Sequence, residues 1–217
     1  MILNFKQIEE LFKEIDTTLT YPCKVFVIGG AVLLYQGLKP ATKDIDIVVD
    51  TKKEFFELEK ALFFRDFKSK LPSIEYKGMD ISQILIREDF RIDLFCKKVC
   101  RGFSLSKEMK QRAIKIFTLN KMSVFLCSNE DLFLFKTLTE REGDLEDCIS
   151  LAKKGLQWEN ILNELKVQIN ESKRPVWLTL VGERLDILEE RGLVIPFMNE
   201  LNEMREKYFE DFEKRMT

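Results

Sequence analysis

The sequence predicts an α+β fold, in which a mixed β-sheet with flanking helices is followed by an all-helical lobe. Up to residue 127, short apolar runs typical of strands alternate with helical patterns. From residue 128 onward, the apolar residues follow helical spacing to the end of the chain. We therefore expect an α/β domain over residues 1–127 and a helical domain over residues 128–217.

The first half opens with a helix and a buried strand. Helical spacing of apolar residues predicts a helix over 4–19, and the run KVFVIGG predicts a strand that ends at Gly29. A short helix follows, stopped near Gly37 and Pro40, and then β-branched alternation predicts a strand over 44–50. Further along we expect a helix over 52–64 and strands over 80–88, 90–98, 114–119 and 123–126.

The second half contains five predicted helices. Gly143, Gly155, Pro175 and Gly192 separate them, since glycine and proline end helices. The expected ranges are 129–141, 144–154, 157–171, 175–191 and 195–215.

Composition excludes several classes of enzyme. The chain of 217 residues has no histidine, which rules out Ser-His-Asp triads, Cys-His pairs and histidine metal ligands. Its five cysteines include no CxxC pair, so neither a disulfide framework nor a zinc site is expected. The net charge is −2, and no apolar run is long enough to span a membrane. We expect a cytoplasmic protein whose chemistry uses carboxylates, lysine, arginine, backbone amides and a hard metal ion.

Three aspartates form the candidate chemical centre. Asp44 and Asp46 lie two residues apart on one strand, so their side chains point to the same face. Asp93 lies in a later strand and joins them if the two strands are neighbours. Three carboxylates at one end of a sheet suit Mg²⁺. The alternatives are a solvent-facing edge strand for the first pair, and an ion pair with Arg91 or Lys43 for Asp93.

Gly29 and Gly30 stand between the first strand and the following short helix. Glycine lets a ligand approach the backbone closely, and helix N-terminal amides favour an anion such as phosphate. Neither a Walker loop nor a GxGxxG fingerprint is present. Taken alone, the pair is equally typical of a tight strand-to-helix turn.

Together, the Gly-Gly turn, the Asp-x-Asp strand and the later Asp93 strand resemble the signature of the DNA polymerase β-like nucleotidyltransferase superfamily. The segment that follows is similar to a pattern in AbiEii-type toxins and related minimal prokaryotic nucleotidyltransferases. It contains Ser128, Asp131, Leu132, Lys136, Arg141, Asp144, Asp147 and Ile149. The resemblance covers about residues 24–155.

The resemblance implies an enzyme that moves a nucleoside monophosphate from an NTP to a hydroxyl acceptor, using two Mg²⁺ ions for which Mn²⁺ can substitute. It implies that Asp44 and Asp46 hold both metals. Asp93 would bind the catalytic metal and help to deprotonate the attacking hydroxyl, while Gly29 and Gly30 cradle the triphosphate.

Several further residues have two interpretations. The functional one places Lys43, Lys136 or Arg141 on the nucleotide phosphates, with Asp144 and Asp147 as helpers. The other is a charge balance at Lys43, and a helical hairpin with solvated charges in which Asp144 caps a helix.

The toxin-type resemblance makes tRNA or a cellular protein the leading acceptor, and implies an antitoxin partner. An antibiotic-type small alcohol and a catalytically silent nucleotide-binding module remain alternatives. An RNA acceptor predicts a basic track, for which Lys97–Lys115 is the candidate, and a solvated helix face is its other interpretation. The sequence leaves the oligomeric state open.

Overall fold

A computed structural model describes residues 1–72 and 78–216, the last two of them by their backbone alone. The chain divides into two compact units, Met1–Ser128 and Asn129–Thr217. The predicted fold class is confirmed, because a mixed seven-stranded sheet with helices is followed by a helical region. The boundary expected after residue 127 lies one residue before the observed division.

The first unit contains seven strands and four α-helices among its described residues. The helices are α1 (Phe5–Asp16), α2 (Gly30–Tyr35), α3 (Lys52–Phe64) and α4 (Lys107–Arg112). The strands are β1 (Cys23–Ile28), β2 (Ile45–Val49), β3 (Lys68–Lys70), β4 (Gln83–Arg87), β5 (Phe90–Cys96), β6 (Ile114–Thr118) and β7 (Met122–Leu126).

Two of these elements, β3 and α4, were not predicted. The three residues of β3 are all exposed and charged or polar, so they show no apolar alternation. Helix α4 has six residues and buries only Met109. Its start is nevertheless marked, because the Ser106 hydroxyl accepts a hydrogen bond from the Met109 amide.

The strands form one sheet in the order β3-β4-β5-β2-β1-β7-β6. The central strand β2 pairs antiparallel with β1 and parallel with β5, and β1 pairs parallel with β7. Ile45, Ile47 and Val49 are fully buried on one face of β2, as the alternation predicted. Asp46 lies between them and belongs to the opposite face.

Hydrogen bonds connect the end of α1 to the turn between β6 and β7, at one edge of the sheet. The carboxylate of Asp16, at the end of α1, accepts hydrogen bonds from the amides of Lys121 and Met122, each at 2.8 Å. It also accepts one from the Asn120 amide at 3.1 Å. This single acid therefore satisfies the turn between β6 and β7, whose donors would otherwise be costly to bury.

The second unit is helical, as expected. Its helices are α5 (Asn129–Thr137), α6 (Glu142–Lys154), α7 (Trp158–Ser172), α8 (Trp177–Glu190) and α9 (Met198–Met216). Helix α6 begins at Glu142 with Arg141 as its N-cap, so the alternative in which Asp144 is the N-cap is wrong. Within the described residues, no helix combines the length and the apolar character that a membrane span requires.

Candidate functional site

The turn between β1 and α2 places the backbone of Gly29 against the carboxylate of Asp46. Gly29 has φ 68° and ψ −149°, a combination that is essentially restricted to glycine. Ile28 pairs with Asp46 across the antiparallel β1–β2 ladder, which brings the turn to this acid. A Cβ built on Gly29 would lie only 2.9 Å from Cγ of Asp46. The acid therefore occupies the space that any larger side chain at position 29 would need.

A buried threonine links the second glycine to the first acid. A Cβ on Gly30 would lie 2.6 Å from Oγ1 of Thr42. The same hydroxyl donates a hydrogen bond to the carbonyl oxygen of Asp44 at 3.1 Å. The Thr42 backbone exchanges two hydrogen bonds of 2.9 Å with Ile2. Thr42 was not among the predicted site residues, although it stands next to the acidic motif.

Strand register places Asp93 directly beside Asp46. The two aspartates are partners in the parallel ladder of β2 and β5, so the predicted adjacency of these strands is confirmed. Asp93 is 1% exposed and Asp46 is half-buried. Two carboxylates on neighbouring strands repel each other unless a positive charge compensates them.

Arg91 supplies a compensating charge. Its Nε donates a hydrogen bond to Oδ1 of Asp93, and its Nη2 donates one to Oδ2, each at 2.7 Å. This two-point geometry is the strong form of an arginine–carboxylate pair. The ion pair with Arg91, one of the alternatives for Asp93, is therefore present. Lys43 is exposed immediately before Asp44.

Asp44, Asp46 and Asp93 are the carboxylates that would have to bind a divalent cation at this site. Asp44 is half-buried one residue before β2, and carboxylate oxygens are ligands that Mg²⁺ prefers. Within residues 1–72 and 78–216, no three Asp, Glu or Cys side chains are grouped so that they could hold a metal ion. The expected convergence of all three aspartates is thus not present in this conformation, in which Arg91 binds Asp93. Asp44 and Asp46 are both half-buried and two residues apart at the start of β2, and carboxylates are the donor type that Mg²⁺ takes together with phosphate and water oxygens.

A buried charge cluster lies within the helical unit. The ammonium of Lys136 donates hydrogen bonds to Asp144 Oδ1 at 2.7 Å and to Asp147 Oδ2 at 2.6 Å. Thr139 and Arg141 donate to the other oxygen of Asp144, at 2.5 Å and 2.8 Å. The Lys136 side chain is 6% exposed, whereas that of Arg141 is 51% exposed. For Lys136 this geometry favours the helical hairpin over a phosphate contact.

The cluster shifts the ionisation of its members. Burial alone would raise the pKa of Asp144, but the charges of Lys136 and Arg141 outweigh burial and lower that pKa to about 2. Burial alone would lower the pKa of Lys136, and the two carboxylates raise it above its usual value instead. Lys136 and Asp144 are therefore both charged at neutral pH.

Comparisons with known proteins supply a family. Residues 3–174 match the family model described as "Nucleotidyltransferase of unknown function (DUF6036)". No curated protein matches the chain.

The solved structures that are similar to this chain include two of one antibiotic-resistance factor. The solution structure of the antibiotic-resistance factor ANT(2'')-Ia is 12% identical, with 87% of this chain and 96% of that chain covered and a TM-score of 0.49. A crystal structure of ANT(2'')-Ia with adenylyl-2''-tobramycin is 13% identical, with 77% and 99% covered and a TM-score of 0.48. At these values neither structure bears on the substrate of this chain.

Gly29→Ala should damage the site specifically. The added methyl group collides with Asp46. Alanine must also adopt a backbone conformation that is essentially restricted to glycine, and this strain alone costs about 1–3 kcal/mol. We expect a lower melting temperature and weaker Mn²⁺ binding, measured by differential scanning fluorimetry and by electron paramagnetic resonance of the unbound ion. Gly37→Ala is the matched control, because Gly37 also has positive φ (71°) but nothing lies within 4 Å of its added Cβ. Equal effects of both variants on Mn²⁺ binding would contradict the contact.

Lys136→Met should destabilise the helical unit. It removes the cation that two buried carboxylates share, of which Asp144 keeps Arg141, and breaking such a buried pair costs about 3–5 kcal/mol in urea unfolding. The exposed Lys153 of the same unit serves as control, and Lys153→Met should stay within about 0.5 kcal/mol of the wild type.

A pH series tests the contribution of the Asp144 carboxylate to stability. Because the Asp144 pKa falls from 3.8 to about 2 on folding, its carboxylate stabilises the protein above pH 4, and this gain disappears as the pH falls towards 2. The stability gap between wild type and Asp144→Asn should narrow over that range, and a constant gap would refute the assignment.

Proposed function

The chain belongs to the DUF6036 family of nucleotidyltransferases, and from this premise we propose that it transfers a nucleoside monophosphate from an NTP to a hydroxyl group. One observation carries the proposal. The carboxylate of Asp46 lies against the Gly29 backbone, and Asp46 pairs with Asp93 on the neighbouring strand. That arrangement supports the proposal, because carboxylates that suit a cation then stand beside a glycine backbone that a triphosphate can approach closely.

In the proposed mechanism, Asp44 and Asp46 hold the divalent cation. Mg²⁺, for which Mn²⁺ can substitute, would neutralise charge on the phosphates and on the leaving pyrophosphate. The resemblance implies two ions, and the chain offers Asp44 and Asp46 as their shared ligands. Gly29 and Gly30 would offer the triphosphate their backbone amides, since Asp46 and Thr42 already fill the space beside their Cα atoms.

Asp93 is the proposed acceptor of the proton. The acceptor oxygen forms a bond to the α-phosphorus, the bond from that phosphorus to the bridging oxygen breaks, and pyrophosphate leaves. The hydroxyl proton passes to Asp93. Arg91 donates one hydrogen bond to each oxygen of this carboxylate, and each oxygen keeps a further lone pair that can accept the proton.

Basic residues outside this centre have smaller proposed roles. Lys43 is exposed next to Asp44, where its flexible ammonium can reach a phosphate. Arg141 is the more exposed cation of the helical cluster and keeps the proposal of a phosphate contact. Asp144 and Asp147 act through Lys136 and Arg141, which they position.

The closeness to AbiEii-type toxins, with an antitoxin partner and a tRNA or protein acceptor, is also a proposal and rests on the sequence pattern after the sheet. An antibiotic-type acceptor and a silent nucleotide-binding module are the competing outcomes of the experiment below.

Transfer of label tests the proposal directly. The purified protein is incubated with each α-³²P-labelled NTP, with Mg²⁺ or Mn²⁺, and with cellular RNA, cellular protein or an aminoglycoside. We expect label in one acceptor class, and its reduction to the blank level in Asp44→Asn and Asp46→Asn, because both remove a charge that holds the cation. Label is followed by gel autoradiography or thin-layer chromatography.

Asp89→Asn is the matched control, since it makes the same chemical change at a carboxylate that is 92% exposed on the turn between β4 and β5. It should transfer label at the wild-type rate. NTP binding without label on any acceptor would favour the silent module, and labelling that survives in both aspartate variants would contradict the assigned centre.

A further inference from the structure

A cleft lies on the first unit, at a distance along the strands from Asp44, Asp46 and Asp93. It has a volume of about 620 Å³ and is open to solvent. Strands β1 and β7 contribute its floor, the end of β2 and the start of α3 form one wall, and α4 forms another. None of the residues predicted from the sequence as catalytic or nucleotide-binding lines it.

Strand register places this cleft on the same face of the sheet as Asp46. Phe26, in the floor, pairs with Val48 of β2, and residues 46, 48 and 50 share one face by alternation. Asp50 lines the cleft and stands four residues after Asp46. At ~3.3 Å per residue, the cleft begins ~13 Å from the acidic centre along β2. Between them on this face, Val48 and its partner Phe26 are buried, so the cleft and the acidic centre are separate places on the sheet.

The rim of the cleft is basic, although the whole protein carries a net charge of −2. Four lysines line it, namely Lys24, Lys107, Lys110 and Lys121, against two carboxylates, Asp50 and Glu54. Asp50 pairs with Lys110 at 2.6 Å. Glu54 is largely buried and accepts hydrogen bonds from the Lys24 amide and from Thr51. The charges of the other three lysines therefore dominate the field that a ligand meets.

The floor and one edge are aromatic. Phe26 and Phe125 stack with ring centroids 5.0 Å apart and planes 20° apart. The ammonium of Lys115 lies 5.8 Å from the Phe125 ring centroid. Tyr21 lines the cleft with 40% of its surface exposed. Phe26 is only 3% exposed, so Phe125 and Tyr21 are the rings that a ligand in the cleft can meet. Lysines beside accessible rings are the combination that binds single-stranded nucleic acid, in which phosphates meet cations and bases stack on rings.

We propose that this cleft binds a single-stranded nucleic acid, at a site separate from the acidic centre. The inference goes beyond the proposed function and does not depend on it. The basic rim disfavours an aminoglycoside, which is itself a polycation, because like charges repel. An acidic peptide would satisfy the lysines but would leave the aromatic floor unused.

Fluorescence anisotropy of a labelled 12-nucleotide RNA, and of the DNA of the same sequence, tests the cleft without any turnover. The wild type should bind at least one of the two, with affinity that falls as salt rises. Lys24→Glu/Lys107→Glu should weaken binding at least ~10-fold at low salt and reduce the slope of log K against log salt by ~1.4, since each lost phosphate contact accounts for ~0.7. Tyr21→Ala should weaken it at least ~5-fold through lost stacking.

Two further variants control for the change in net charge and for the acids that the Glu substitutions add. Lys6→Glu/Lys60→Glu makes the same change in net charge at exposed positions on α1 and α3, and it should bind as the wild type does. Lys24→Gln/Lys107→Gln removes the charges without adding acids next to Glu54, and it should show an intermediate loss with an unchanged melting temperature.

The outcomes separate the cleft from the catalytic proposal. Equal loss in the cleft and control variants, or no binding of either oligonucleotide, overturns the cleft proposal. Label transfer to protein or to a small molecule, in the absence of oligonucleotide binding, also overturns it but leaves the transferase standing. Oligonucleotide binding that depends on Lys24 and Lys107, without label transfer to any acceptor, supports the cleft and removes the transferase.

Discussion

The close approach of the Gly29 backbone to the Asp46 carboxylate is the constraint on which the rest of the site depends. It requires a glycine-only backbone conformation, and it requires β1 and β2 to pair in the register that sets Ile28 opposite Asp46. The same strand then pairs with β5, and this second register sets Asp93 beside Asp46. A shift of one residue in either ladder would turn the acids to the other face, which the isoleucines of β2 fill.

Both units contain buried carboxylates that are paired with a basic side chain. In the first unit Arg91 compensates Asp93, and in the helical unit Lys136 compensates Asp144 and Asp147. The two pairs differ in what surrounds them. Asp93 pairs across the sheet with the half-buried Asp46, to which the proposed function assigns a cation. The lysine of the helical cluster is nearly inaccessible, and breaking such a buried pair is costly.

Much of this fold was predictable because its signals are local. β-Branched alternation identified β2, and the glycines marked the turn before α2. Other features depend on partners that are distant in sequence. No pattern within "FRIDLF" determines whether Asp93 binds Arg91 or a cation, and Thr42 acquires its role only when the turn and the strand meet. Helix α4 was not predicted, because six residues with one buried apolar side chain, that of Met109, are too few to show a helical periodicity of apolar residues. Its lysines were nevertheless part of the basic track predicted over Lys97–Lys115, and two of them, Lys107 and Lys110, line the cleft.

The central claim is that Asp44 and Asp46 bind a nucleotide through a divalent cation at the glycine turn. Isothermal titration calorimetry of the wild-type protein with each NTP, first with Mg²⁺ and then with excess chelator, tests it most directly. The account predicts saturable binding of at least one NTP with Mg²⁺, and its loss when the metal is removed, because the carboxylates alone repel the triphosphate. Binding of equal affinity in the presence of the chelator would contradict it, since the acidic centre would then have no part in holding the nucleotide.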